Sequence, residues 1–227
     1  MSSIIGYVDL ALESPELPEE ATEHLEVVAK NADRMLLLVN DLLAHREREA
    51  AGTLTVTKVP MDLGPVVMDS VAAVMPMAND RLISVHVDLP GRLPVLGDAL
   101  RLRQVIDNLL SNAIKYNRDG GDVDVIGTTR EDTVQGPLVE LAVRDTGRGM
   151  THEETRRLFE RFYRAPSVRQ SAVRGSGLGL NISRELVDLH FGTIKVVSAP
   201  DVGTTMTVTL RPTWRQHDPR AVHPDRD

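Results

Sequence analysis

Residues 103–117 read "RQVIDNLLSNAIKYN". Val105, Ile106, Leu109, Leu110 and Ala113 recur at three- and four-residue steps, which predicts a helix with one apolar face. Asn108, Asn112 and Lys115 stand four and three residues apart and share another face. Two carboxamides and an ammonium on an otherwise buried helix are costly unless something polar meets them. An amide oxygen is a hard ligand suited to Mg²⁺, which keeps phosphate oxygens and waters as its other partners. The same asparagines could instead satisfy neighbouring backbone, so this stretch alone leaves both roles open.

The flanking sequence sets the fold class. The helix is predicted over Asp98–Tyr116. Ahead of it come a strand in "TLTVTKVP" (Thr53–Pro60), a helix over Leu63–Met77 and a strand over Ile83–Leu89. After it come strands at Val123–Thr129 and Val139–Asp145, helices at Glu153–Phe162 and Gly179–His190, and strands at Thr193–Ser198 and Thr204–Leu210. Helices and strands mix without regular alternation, which predicts an α+β, two-layer sandwich of a mixed sheet with helices on one face. The proline- and charge-rich stretch 213–227 is expected to be a disordered tail.

Two further stretches can carry chemistry. "RDTGRGM" (Arg144–Met150) follows the strand "VELAV". Asp145 closes that strand, and Gly147 and Gly149 permit a close backbone approach. Its carboxylate only accepts hydrogen bonds, so it could read an exocyclic amine such as that of adenine; a plain Asp-Thr-Gly turn is the rival reading. In "RGSGLGLNISRELVDLH" (Arg174–His190), Gly175, Gly177 and Gly179 precede a helix whose free N–H groups and dipole favour phosphate. The spacing is G-x-G-x-G after a polar loop, not a dinucleotide fingerprint after a strand, and no P-loop signature occurs.

Composition narrows the class. The chain has 227 residues, net charge −7, 41% hydrophobic residues and no cysteine. The acidic balance gives no basic footprint for nucleic acid, and thiolate metal sites and disulfides are excluded. No apolar run approaches the roughly 18 residues of a membrane span, so a cytoplasmic chain, or the cytoplasmic part of a membrane-bound sensor, is expected. At the N-terminus, "MSSIIGYVDLALE" carries a helical apolar face. Glu19–Ala51 repeats Leu25, Val28, Ala32, Met35, Val39 and Leu42 as a bundle helix would.

In order and spacing, Asn108–Lys115, Asp145–Gly149, "LFERFYR" (Leu158–Arg164) and Gly175–Leu180 resemble the N, first glycine, F and second glycine boxes of sensor histidine kinases. The resemblance implies a Bergerat-type ATP-binding fold over 53–212, behind a truncated dimerisation and phosphotransfer hairpin over 1–52. It implies ATP and Mg²⁺ as ligands, with a response regulator receiver domain as partner. Asp145 would bind the adenine amine, with Gly147 and Gly149 at the pocket floor, Tyr116 against the base and Met150 also among the ATP-binding residues. Asn112 would ligate Mg²⁺, with Asn108 nearby and Lys115 reaching a phosphate. Arg164 could touch the γ-phosphate. Arg164–Ser176 would form a mobile lid, which Gly175, Gly177 and Gly179 would let close over the triphosphate; Ser176, Leu178 and Leu180 would also bind ATP, and Thr204 would sit beneath the adenine.

Two departures from the family pattern stand out. Phe191 occupies the second glycine of an "HGG" turn, and Asp201 a glycine two before Gly203; altered loops are expected there. Asn108 stands where hydrolysing relatives place a Glu base. An Asn cannot take that proton, which favours transfer to a protein side chain over ATP hydrolysis. The family's acceptor histidine lies in a stretch resembling H-E-L-R-T-P-L just ahead of "xSIIGY", and this chain starts at "MSSIIGY". The acceptor is therefore expected upstream or in trans, with a homodimer or a partner chain supplying it. Of the other histidines, the tempting His152 falls inside a T-x-x-E capping box. A nucleotide-dependent regulator, half of a split kinase or a gyrase-like ATPase are the alternatives.

Overall fold

The computed structural model describes residues 56–132, 136–165 and 177–212. The expected N-terminal hairpin and the tail lie outside these residues. Numbered in chain order over what is described, the elements are β1 (Val59–Asp62), α1 (Leu63–Asp80), β2 (Ser84–Asp88), β3 (Pro94–Gly97), α2 (Ala99–Lys115), β4 (Asp122–Asp132), β5 (Gly136–Asp145), α3 (His152–Arg157), α4 (Gly179–Leu189), β6 (Thr193–Ala199) and β7 (Gly203–Leu210).

Five strands form one mixed sheet in the order β2-β4-β5-β7-β6. β2 runs parallel to β4, and the other pairings are antiparallel. Alternate residues go to opposite faces of a strand. One face buries Val123, Val125, Val139, Leu141, Val143, Met206, Val208 and Leu210. The facing layer is α1, α2 and α4, with Leu102, Val105, Ile106, Leu109, Leu110, Ala113 and Ile114 of α2 at its centre. The α+β sandwich read from the sequence is the fold observed.

β1 and β3 form a separate antiparallel ribbon, with Val59 opposite Gly97 and Asp62 opposite Pro94. Two expectations change here. Of the strand expected over Thr53–Pro60, the described residues 56–58 are not extended into the ribbon, which starts at Val59, and β3 was not expected at all. Neither is set by local alternation: each exists because the other pairs with it. Asp62 locks the ribbon to α1, its Oδ1 accepting from Gly64 N and Leu93 N, both at 3.0 Å.

The helix expected over Glu153–Phe162 stops at Arg157. Its capping box is present: Thr151 Oγ1 accepts from Glu154 N at 3.2 Å, and Glu154 Oε2 accepts from Thr151 N at 2.9 Å. It buries no residue, and the chain beyond it winds in single turns to Phe162 at φ +61°, so nothing extends it.

Both long outer helices end in Schellman turns whose left-handed position is not a glycine. After α1, Ile83 N donates to Ala78 O and Leu82 N to Asn79 O, with Leu82 at φ +54°. After α4, Gly192 N donates to Val187 O and Phe191 N to Asp188 O, with Phe191 at φ +57°. Asp201 also has a left-handed φ, +61°. Phe191 and Asp201, the two positions where altered loops were expected, each carry a side chain on left-handed backbone.

Candidate functional site

Helix α2 brings the polar face of the N-box stretch to one side of the core. It starts at Asp98, whose Oδ1 accepts from Leu100 N at 3.1 Å and Arg101 N at 3.2 Å. Burial is the largest single influence on this carboxyl and pushes its pKa up. The Thr57, Arg101 and Leu100 N–H groups and the Arg101 charge together outweigh it and hold the pKa below the usual value. At the far end, the Arg81 guanidinium donates to the Asn117 carbonyl at 2.9 Å, the Lys115 carbonyl at 3.2 Å and the Ile114 carbonyl, and to Asp119 at 2.8 Å. A cation there satisfies the carbonyls that a helix leaves open.

Asn108 and Asn112 lie half-buried on that face. Asn108 Nδ2 donates to the buried Ser183 Oγ at 2.9 Å, and its Oδ1 accepts a 3.4 Å bond from Asn112 Nδ2. Gly179, the first residue of α4, packs against Asn108, where an added Cβ would fall 2.4 Å from Oδ1. Asn108 is thus a fastener between α2 and the start of α4. That bond uses one of the two Asn112 amide hydrogens, and Asn112 Oδ1 has no partner among the described residues. Lys115 is exposed at the helix end. Tyr116 caps the helix: its N donates to Asn112 O at 3.0 Å, its carbonyl accepts from Arg148 N at 3.3 Å, and its ring lies 5.4 Å from the Arg148 guanidinium carbon.

Asp145 ends β5 half-buried. Its Oδ1 accepts from Gly147 N at 2.9 Å and Thr204 N at 3.2 Å, and Oδ2 takes part in neither bond. Desolvation pushes its pKa up and outweighs those two N–H donors. An added Cβ at Gly147 would fall 2.5 Å from the Tyr116 carbonyl oxygen, and one at Gly149, at φ +63°, would fall 1.8 Å from the Ala199 carbonyl oxygen. The two glycines therefore let the end of α2 and the end of β6 close in around Asp145. Met150 N donates to Ser198 Oγ at 2.9 Å. Register places Asp145, Thr204 and Ser198 in one row across β5, β7 and β6.

Among the remaining expected residues, Arg164 is half-buried beyond α3. Gly177 (φ +77°) and the buried Leu178 immediately precede α4, and Leu180 is its second residue. Gly175 and Ser176 lie outside the described residues. No group of three or more His, Cys, Asp or Glu side chains that could hold a metal occurs among the described residues. A cation here would rest on amide oxygen and on whatever oxygens a ligand brings, a donor set that suits Mg²⁺.

Sequence reasoning missed three supports. Asn117 is buried, donates to Asp122 O at 3.0 Å and accepts from Arg118 N at 3.0 Å. Thr146 Oγ1 accepts from Asp122 N at 2.9 Å. Ser198 is the third. Asn117 acts within its own turn, whereas Thr146 and Ser198 act on backbone that only the tertiary fold brings near.

Residues 97–213 match the model for "Histidine kinase-, DNA gyrase B-, and HSP90-like ATPase". The chain belongs to this family. Residues 1–49 match the "His Kinase A (phospho-acceptor) domain", which places the chain among the sensor histidine kinases of two-component systems. The chain is 33% identical to the sensor protein GacS of Pseudomonas syringae pv. syringae over 215 residues, covering 93% of this chain and 23% of that protein. It thus spans about a quarter of that relative's length. The mycobacterial sensor histidine kinase MprB superposes with a TM-score of 0.58 at 30% identity, over 69% of this chain and 100% of that one. The full-length ShkA structure in complex with AMPPNP gives 0.65 at 26% identity, over 92% of this chain and 43% of that one. No described helix is long and apolar enough to cross a membrane.

Proposed function

We propose that this kinase binds Mg-ATP and donates the γ-phosphoryl group to a histidine carried on another polypeptide or a further segment, for relay to an aspartate of a response regulator receiver domain. In this reading 1–52 is the phosphotransfer hairpin, serving a homodimer or a partner chain, and 53–212 is the ATP-binding domain. The observation that carries it is Asp145: one carboxylate oxygen is held by two backbone N–H groups, and the other is left to accept from the adenine amine. Tyr116 lies against the base and Thr204 beside it. Lys115 and Arg164 meet phosphates, and the glycines ahead of α4 let the lid close over them. Asn112 Oδ1 ligates Mg²⁺, which supplies charge neutralisation at the phosphates.

Asn108 supports transfer over hydrolysis, since its amide is engaged with Ser183 and Asn112 and cannot take a proton from water. The acceptor is assigned outside this chain for two reasons. His24 and His45, the histidines within the phospho-acceptor match, are followed by "LEVVAK" and "REREA" rather than the family's E-L-R-T-P-L. His190 is buried with both ring nitrogens engaged.

Incubation with γ-labelled ATP tests the proposal. The chain alone is expected to stay unlabelled, and an added histidine-bearing hairpin to become labelled. Acid-labile label on this chain alone refutes the external acceptor. Steady ATP turnover without any acceptor refutes the transferase reading in favour of a gyrase-like ATPase.

A further inference from the structure

Ser198 lies outside every sequence box, yet its hydroxyl is the hub of the row that ends at Asp145. It meets three groups: Met150 N at 2.9 Å, Gly203 O at 3.0 Å and Thr204 Oγ1 at 2.9 Å. A serine hydroxyl has one proton and two lone pairs. Met150 N–H can only donate, and so takes one lone pair. The Gly203 carbonyl can only accept, and so takes the proton. Thr204 must then donate to the second lone pair. Any other arrangement leaves two lone-pair oxygens at 3.0 Å with no proton between them.

The consequence falls on Thr204. Its only proton is directed at Ser198, so the hydroxyl faces a bound ligand with lone pairs alone. Thr204 is the register partner of Asp145, and its backbone N–H donates to Asp145 Oδ1. The Asp145 carboxylate is itself acceptor-only, so two acceptors stand side by side at the end of the sheet.

We infer that Ser198 is a positioning residue for nucleobase specificity: by taking the Thr204 proton it turns that hydroxyl into an acceptor, so the site selects a base with an exocyclic amine and rejects one with a carbonyl there. The amino group of adenine offers two hydrogens to two acceptors. The carbonyl oxygen of guanine would face both lone-pair sets unpaired. Without Ser198 the Thr204 hydroxyl rotates freely and can donate to that carbonyl, which softens the rejection. This inference rests on the nucleotide reading above and deepens it.

The test compares ATP and GTP affinities by calorimetry on the full chain, for wild type, Ser198→Ala, Ser198→Thr and Thr204→Val. Ser198→Ala is expected to cut the preference for ATP over GTP about three- to tenfold, the worth of one net hydrogen bond, while Ser198→Thr keeps it. If Ser198→Ala does not fold, Thr204→Val carries the test, with the same fall expected. An unchanged preference, or equal losses for both nucleotides, overturns the inference and leaves Ser198 a purely structural hydroxyl. A wild-type chain that binds ATP and GTP alike also overturns it while sparing the nucleotide site. A wild-type chain that binds neither overturns the nucleotide reading itself.

Discussion

Replacing Asp145 by Asn separates what this carboxylate does for the fold from what it does for the ligand. Asn keeps an oxygen for the N–H groups of Gly147 and Thr204, which sit 2.9 and 3.2 Å from Asp145 Oδ1. The amide nitrogen then takes the place of Oδ2 and presents hydrogens to the adenine amine, donor against donor. A hydrogen bond to a charged group is worth about 1.5–3 kcal/mol, so ATP affinity should fall about 10- to 150-fold at 1.36 kcal/mol per decade. Stability should move the other way. The carboxyl pKa is raised above its ordinary value because desolvation outweighs the two N–H bonds. A carboxyl whose folded pKa exceeds its unfolded one destabilises the fold above that folded pKa, and the cost fades as pH falls through it. Asp145→Asn should therefore melt at the wild-type temperature or higher at neutral pH, with the advantage shrinking as the solution is acidified. Calorimetric titration with ATP and thermal melts across pH read both effects. Unchanged affinity would sink the adenine assignment. Lost affinity together with a lower neutral-pH melting temperature would show that the carboxylate is structural.

Other outcomes are as specific. Leu82 sits at the left-handed position of the α1 Schellman turn, 79% exposed, so Leu82→Gly should stabilise the chain by about 1 kcal/mol in urea unfolding. Phe191→Gly relieves the same strain after α4 but loses the Lys58 ammonium, 3.7 Å from the ring centroid, so its gain should be smaller by about 0.5–1 kcal/mol. His190 is buried, and desolvation depresses its pKa below 6.5, outweighing the raising influence of the Leu186 bond and Asp98. Its Nε2 accepts from Asp98 N at 3.0 Å, a bond that protonation abolishes. Stability contributed here is complete above pH 6.5 and declines as pH falls through the depressed value. His190→Gln should flatten that acid limb in melts between pH 7 and 5.

The elements legible in the sequence were those whose own residues dictate them. Helix α2 announced its phase through Val105, Ile106, Leu109, Leu110 and Ala113, and that phase fixed where Asn108, Asn112 and Lys115 would stand. Thr151 and Glu154 announced the start of α3. What escaped depended on partners distant in the chain. Pro94–Gly97 is flanked by the turn-forming residues of "GRLPVLGD" and becomes a strand only against Val59–Asp62. The F-box helix buries no residue and stops at Arg157, and beyond it Phe162 takes a left-handed φ that its residue type does not advertise. Gly147 and Gly149 were legible as sites of close approach, but not that the approaching atoms are the Tyr116 and Ala199 carbonyls. Ser198 reads as one more strand hydroxyl until register sets it opposite Thr204.

The clasp around Asp98 also makes α2 a mechanical element. Thr57 N donates to Asp98 Oδ2 at 3.1 Å, Lys58 Nζ donates to the Leu189 carbonyl at 3.0 Å, and His190 receives Asp98 N. The chain thus enters the domain at the Asp98 end of this helix, while Lys115 and Tyr116 close the other end. Seventeen residues of helix make a rod about 25 Å long. The Thr57 bond therefore ties the peptide ahead of Val59 to the start of that rod, whose last turn holds Asn112 and Lys115.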